Sequence, residues 1–261
     1  MTKSPPKSIV FITGTFIGNN CWDEWISYFE SNGYNCIAPA WPFKNASPEE
    51  LRNRHPDAEI SSNRLADLTD HFATIVNSSP EKPIMIGHSL GGLVVQLLLH
   101  RGLGSAGVAM HSFPPPGVCT FKFSFLKAVW EAMAFFTSTD RTYLVEFKKW
   151  KYAIANGMGY ELQKELYYRY AIPESKQVMR DAFKCIERIN FEKPHAPLLF
   201  TSGSNDQIIP TSLNYNNYKR YKAEDSIADY RFFEGRNHLV FGHPAGMEDA
   251  EFILGWVRAL K

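Results

Sequence analysis

The stretch Ile84-Met85-Ile86-Gly87-His88-Ser89-Leu90-Gly91-Gly92 carries an apolar run into Gly-x-Ser-x-Gly and on into a helical stripe of Leu90, Leu93, Val94, Leu97 and Leu98. A strand, a very tight turn and an amphipathic helix in that order place a serine at a helix N-terminus with its hydroxyl free, in a backbone conformation few side chains adopt. Gly87 and Gly91, two residues either side of Ser89, remove the Cβ atoms such a turn would press together, and Gly92 lets the helix pack closely on a sheet. Five matching residues alone would also describe an ordinary glycine-rich turn. The strand before and the helix after are what favour a nucleophile.

Working outward, short apolar runs alternate with longer segments of helical period. The expected strands are 8–13, 35–38, 83–86, 107–110, 197–201 and 229–233. Most are too apolar for in/out alternation, as befits parallel strands covered on both faces, so the fold class is α/β. Sheet-covering helices are expected over 22–32, over 63–76 with Leu65, Leu68, Phe72 and Ile75 on one face, after Ser89, and over 247–260 with Ala250, Ile253, Leu254 and Val257. Two stretches exceed this alternation. Residues 39–61 have little period and read as a long surface excursion. Residues 113–196 need structure of their own, with helices expected over 125–136, 142–156, 161–170 and 175–189 and many aromatic residues, so they read as a lid hinged at Phe113-Pro114-Pro115-Pro116-Gly117. Trp22 and Trp25 read as core, and Lys148-Lys149-Trp150-Lys151 as a solvated lid face.

The chain has 261 residues, 44% hydrophobic and 21% charged, enough to bury one sizeable core. With 28 Lys+Arg against 27 Asp+Glu it has no charge footprint for nucleic acid or anionic lipid. No stretch approaches a membrane span and no export signal is read, so a cytoplasmic protein with neither nucleic-acid nor membrane partner is expected. Cys21, Cys36, Cys119 and Cys185 form no CxxC pair. No phosphate loop, dinucleotide fingerprint or metal-spaced histidine cluster is present, so neither a cofactor nor a metal is implied.

A serine nucleophile needs a histidine base and a carboxylate that orients it. After the run ending at Thr201 comes Ser202-Gly203-Ser204-Asn205-Asp206, and after the run ending at Phe233 comes Glu234-Gly235-Arg236-Asn237-His238. Both Asp206 and His238 thus sit in loops at strand carboxyl ends, the edge where open α/β sheets carry their sites. Asp225 and Asp229 compete weakly, since neither follows a strand through such a loop, and His243 reads as a surface or supporting residue. His88 reads as a packing or pocket residue rather than a base.

Over nearly its whole length the sequence resembles the α/β-hydrolase superfamily. Gly87 to Gly92 resembles its nucleophile elbow, Gly203 to Pro210 its acid loop and Gly235 to His238 its histidine loop. The first apolar run stands where the family's third strand would, which implies a compact core of about six strands. The resemblance further implies a core of residues 1–112 and 197–261 and a helical cap of 113–196. Acyl transfer needs two donors aimed at the developing oxyanion. One is the N–H of Leu90; by the family's His-Gly-X pattern the other is that of Thr15, with Phe16 second, although Thr13 replaces the usual histidine. Phe16, His88, Trp130, Phe136 and Phe147 are expected to line the substrate pocket. The activity implied is hydrolysis of a small-to-medium apolar or aromatic carboxylic ester or thioester, as in esterases, with Ser89, His238 and Asp206 as triad. A cofactor-free haloperoxidase or perhydrolase, or a receptor that retains the triad, are the alternatives. A hydroxynitrile lyase would have lysine where Leu239 stands, and an epoxide hydrolase or dehalogenase an aspartate at Ser89.

Overall fold

Apolar runs without alternation need cover on both faces, and the chain supplies it by laying parallel strands between helices. The computed structural model describes residues 8–118, 138–184 and 188–260. Strands β1 (Ser8–Ile12), β2 (Asn35–Ile37), β3 (Ile84–His88), β4 (Ala106–Met110), β5 (Leu198–Gly203) and β6 (Ala228–Phe233) form one sheet in the order β2-β1-β3-β4-β5-β6, every neighbouring pair parallel. All six expected strands are present, with each end within two residues of its expected place. β3, β4 and β5 are buried throughout, whereas the edge strands β2 and β6 are partly exposed. The order reverses beside β1: the chain first moves outward to β2, then crosses back to β3. A crevice therefore opens at the carboxyl ends of β1 and β3, where connections leave in opposite directions.

The expected covering helices appear as α1 (Asp23–Ser31), α4 (Leu65–Ser78), α5 (Leu90–His100) and α10 (Gly246–Ala259). Trp22 and Trp25 are core, packed edge to face with a ring separation of 5.5 Å and against Phe241. The reading of 39–61 as a surface excursion is corrected. It contains α2 (Pro48–Asn53), opened by a capping box between Ser47 and Glu50, and α3 (Ala58–Ser62), capped by Asp57. Leu51 and Ile60 pack with Ile172 in a small second core, and Trp41 and Lys44 are also buried. A further helix, α9 (Thr211–Tyr218), was not expected; it has no apolar stripe and turns Leu213, Asn214 and Asn217 inward.

A helical cap region is inserted between β4 and β5. Its described helices are α6 (Phe147–Ala153), α7 (Tyr160–Tyr170) and α8 (Lys176–Lys184), shorter than the expected spans 142–156 and 175–189. The expected helix 125–136 lies outside the described residues, as do Trp130, Phe136, Cys119 and Cys185. The cap is tied to the core by β-bridge pairing of Ile17 with Ala171, by the Leu239 N–H donating to the Ile154 carbonyl, and by the pair Arg64–Asp181. Trp150 and Tyr170 are buried, while Tyr152, Tyr160 and Tyr168 face outward, so part of the aromatic content fastens the cap rather than lining a pocket. No described helix is long and apolar enough to cross a membrane.

Candidate active site

Ser89 is the residue between β3 and α5, and the turn is tight enough to put it at φ 54°. A Cβ on Gly87 would lie 2.2 Å from the Gly91 carbonyl oxygen, and one on Gly91 would lie 2.1 Å from that of Ile12. Neither position admits another residue without moving backbone. The Ser89 N–H donates to the Met110 carbonyl and its own carbonyl accepts from Phe113, so neighbouring backbone holds a conformation that costs on the order of 1–3 kcal/mol.

Three loops at the carboxyl edge bring the expected chemistry together. His238 Nε2 lies 3.0 Å from Ser89 Oγ, and His238 Nδ1 lies 2.8 Å from Asp206 Oδ2. The other carboxylate oxygen, Oδ1, accepts from the Ile208 and Ile209 N–H groups at 2.8 and 2.7 Å. Burial opposes a charge on Asp206, but the His238 and His111 imidazoles outweigh it and hold the carboxyl well below its usual range. Asp206 is therefore an acceptor only, so His238 carries its proton on Nδ1 and presents a bare Nε2 to the serine hydroxyl. His243 takes no part in this chain; its Nδ1 accepts from the Ala245 N–H.

The two expected oxyanion donors follow the strands that flank the topological switch, Thr15 in the loop after β1 and Leu90 at the start of α5. Neither the Thr15 nor the Leu90 N–H has an acceptor among the described residues. The Phe16 N–H, the second choice, donates to Glu174 Oε2 at 3.3 Å, which leaves Thr15 the freer donor. Thr13, where the family pattern has histidine, is buried and receives both the Trp22 and the Trp41 indole N–H, at its hydroxyl and its carbonyl. The departure is thus absorbed by two tryptophans that fix the loop.

Phe16 is nearly buried, edge to face with Tyr143, at φ 67°. Phe147 is half-buried among Tyr160 and Tyr167 within the cap. His88, expected to line the pocket, has no exposed surface, and that expectation is corrected. The loop carrying His238 folds over it. The His88 Nε2–H donates to the His238 carbonyl at 2.8 Å, with ring centroids 4.8 Å from His238 and 5.0 Å from Phe241. It lies buried beneath the His238 loop.

Burial first, then the neighbouring His238 and His111, push the His88 proton affinity well below the ordinary imidazole value of 6.5. A depressed folded-state value gives stability that is complete above the unfolded value and is lost as pH falls below it. The melting temperature should accordingly be level above about pH 7 and decline through the acid range. In His88→Gln, which keeps a donor for the His238 carbonyl but cannot titrate, calorimetry from pH 5 to 8 should show a shallower decline. An identical slope would mean that His88 does not contribute to it.

Three site residues have no counterpart in the sequence reading. His111, just past β4, places its Nδ1 2.8 Å from the same Asp206 Oδ2 that His238 uses. Its signal was its position, a strand end on the same rim. Lys44 and Glu174 form a fully buried pair at 2.6 Å, with Lys44 over the Trp41 ring; 130 residues apart, they leave no local trace. Glu174 thereby ties the cap both to the segment after β2, through Lys44, and to the loop after β1, through the Phe16 N–H, and its own backbone pairs with Tyr143. One nitrogen or carboxylate oxygen from each of His111, Asp206 and His238 lies within 4.8 Å of the other two. Both Nδ1 atoms lie at hydrogen-bond distance from the same Asp206 Oδ2, so the three side chains form one connected set.

A parallel sheet with a serine elbow, a histidine and a carboxylate on three strand-end loops defines the hydrolase type of α/β protein. The model of the alpha/beta hydrolase family matches residues 9–250, and the chain belongs to that family. No curated protein sequence matches it. Among solved structures it is similar to a monoacylglycerol lipase of Paleococcus ferrophilus, with TM-score 0.65 and 20% identity over 97% of this chain and 95% of the other. It is also similar to tomato methylketone synthase I complexed with 2-tridecanone, with TM-score 0.68 and 14% identity over 98% and 99% of the two chains. A methylesterase from Arabidopsis superposes with TM-score 0.67 and 13% identity over 97% and 99%.

Proposed function

We propose that this chain is a serine hydrolase of small-to-medium apolar or aromatic carboxylic esters. The observation that carries the reading is the continuous relay from Ser89 Oγ through His238 to Asp206, at 3.0 and 2.8 Å. Ser89 Oγ attacks the ester carbonyl while His238 Nε2 takes its proton, and the Thr15 and Leu90 N–H groups receive the oxyanion. Collapse of the tetrahedral intermediate expels the alcohol, which leaves with the proton from His238. The acyl group stays on Ser89. Water then attacks the acyl carbon, giving its proton to His238, and the carboxylic acid departs with Ser89 restored. Two of the structural neighbours, a lipase and a methylesterase, are named for ester substrates, which supports the choice of bond.

In this reading residues 1–112 and 197–261 perform the chemistry and 113–196 select the ester. A panel of esters of graded acyl length and aromatic character tests it, with peroxide added in parallel to read out peracid formation. Turnover of an apolar ester is expected. Peracid formation outrunning hydrolysis would favour the perhydrolase reading, and stoichiometric binding without turnover the receptor reading. Within the cap, Phe147→Ala should lower kcat/KM for a bulky ester by the equivalent of about 1.5–3 kcal/mol while sparing an acetate ester. An unchanged ratio with a lowered melting temperature would assign Phe147 to cap packing instead.

A further inference from the structure

Asp206 serves two imidazoles. Its Oδ1 is filled by two backbone N–H groups, and its Oδ2 accepts from His238 Nδ1 and from His111 Nδ1, each at 2.8 Å. A carboxylate offers about four acceptor sites, so all are taken. The hydroxyl relay described above uses only one of the two imidazoles.

His111 is costly to place there. It has no exposed surface, and its backbone stands at φ 44°, a region a histidine seldom enters. Its N–H is held by the Thr201 carbonyl of β5. Among the described residues the non-glycine positions of positive φ are Phe16, Phe43, Ser89 and His111, and Phe16, Ser89 and His111 stand in the strand-end loops of this site. Strain of this kind persists where the surroundings impose it for a purpose. His111 Nε2 is buried and makes no hydrogen bond within the protein, so an N–H placed there would have no acceptor. His111 thus makes its one side-chain hydrogen bond to Asp206.

We propose that His111 is a positioning residue that sets the basicity of His238 through the Asp206 oxygen they share. Each donor that a carboxylate accepts spreads its negative charge and weakens its hold on any other. With His111 donating to the same oxygen, Asp206 holds the ring of His238 less firmly than it would as a carboxylate with a single imidazole donor. The inference rests on the triad reading above.

Other ionisable groups face this pair. His88, at the end of β3, has its ring 4.8 Å from His238 and 6.2 Å from His111, and burial keeps it neutral. From α10, Asp249 is paired with Arg236, which also holds Glu248, and His243 follows the His238 loop. All of these remain in the variants compared.

The test compares wild type, His111→Leu and His111→Asn. Asparagine puts an amide N–H where Nδ1 stands and tolerates positive φ; leucine removes the donor. The acid limb of kcat/KM on one ester should move to higher pH by about half a unit or more in His111→Leu and stay near wild type in His111→Asn. The same shift is read without substrate by NMR titration of the His238 ring, assigned through its loss in His238→Ala. Should leucine prevent folding, His111→Gly accepts the backbone and likewise lacks the donor. An unmoved His238 titration in the donor-free variant, or an equal shift in the asparagine variant, overturns the proposal. A shifted titration in a protein that hydrolyses no ester overturns the functional reading and leaves the coupling standing.

Discussion

Replacing Ser89 by alanine is expected to lower turnover of any accepted ester by on the order of 10⁶-fold, because a relay without its nucleophile has nothing to deliver. The fold should survive. Alanine occupies less space than serine, and Gly87 and Gly91 still permit the turn. The substitution removes the 3.0 Å hydrogen bond between the Ser89 hydroxyl and His238 Nε2, which the proposed chemistry needs and the packing does not. A melting temperature within a few degrees of wild type, together with no covalent labelling by a fluorophosphonate, is the expected pair of results. In the wild type, mass spectrometry should find the label on the Ser89 peptide. Label on another serine, or more than trace activity in the variant, would remove Ser89 from the mechanism.

What could be read in the sequence was what is local in the sequence. The elbow was legible because the residues that permit the turn, Gly87 and Gly91, flank the one that uses it, and because strand and helix patterns abut it. Asp206 and His238 were legible because each follows an apolar run that is unmistakably a buried strand, or in the case of β6 an edge one. The helix α9 was not legible: its sequence, Thr-Ser-Leu-Asn-Tyr-Asn-Asn-Tyr, offers poor helix formers and a single fully apolar anchor, and it forms because packing on β5 and β6 overrides propensity. Between 39 and 61 a local signal did exist, Ser47-Pro48-Glu49-Glu50, which is a capping box with proline at the first turn. It was masked by the scarcity of apolar residues, since Leu51 and Ile60 are one per helix. The His111–Asp206 and Lys44–Glu174 contacts span 95 and 130 residues, and only the folded chain brings those partners within reach.

Asp206→Asn is expected to cost about 10⁴-fold in kcat, and here the slower rate should be accompanied by a loss of stability. The amide oxygen of asparagine can still accept from the Ile208 and Ile209 N–H groups, which fixes its orientation and turns the NH₂ toward the two imidazoles. Two donors now meet two donors. To avoid that, His238 must move its proton to Nε2, where it points at Ser89 Oγ and can no longer accept the hydroxyl proton. His111 must do the same, and its Nε2 lies buried without an acceptor in the protein, so an N–H is stranded there at about 1–3 kcal/mol. A triad carboxylate serving one histidine would lose its rate but carry no such penalty. Measuring kcat and melting temperature for Asp206→Asn alone and combined with His111→Leu separates the two effects. The second substitution removes the stranded N–H, so the further drop in melting temperature it causes should be smaller in the asparagine background than in the wild type, while kcat stays low in both asparagine variants. Equal drops in the two backgrounds would mean that His111 does not depend on Asp206 for its proton's place, and a kcat within tenfold of wild type would mean that His238 does not either.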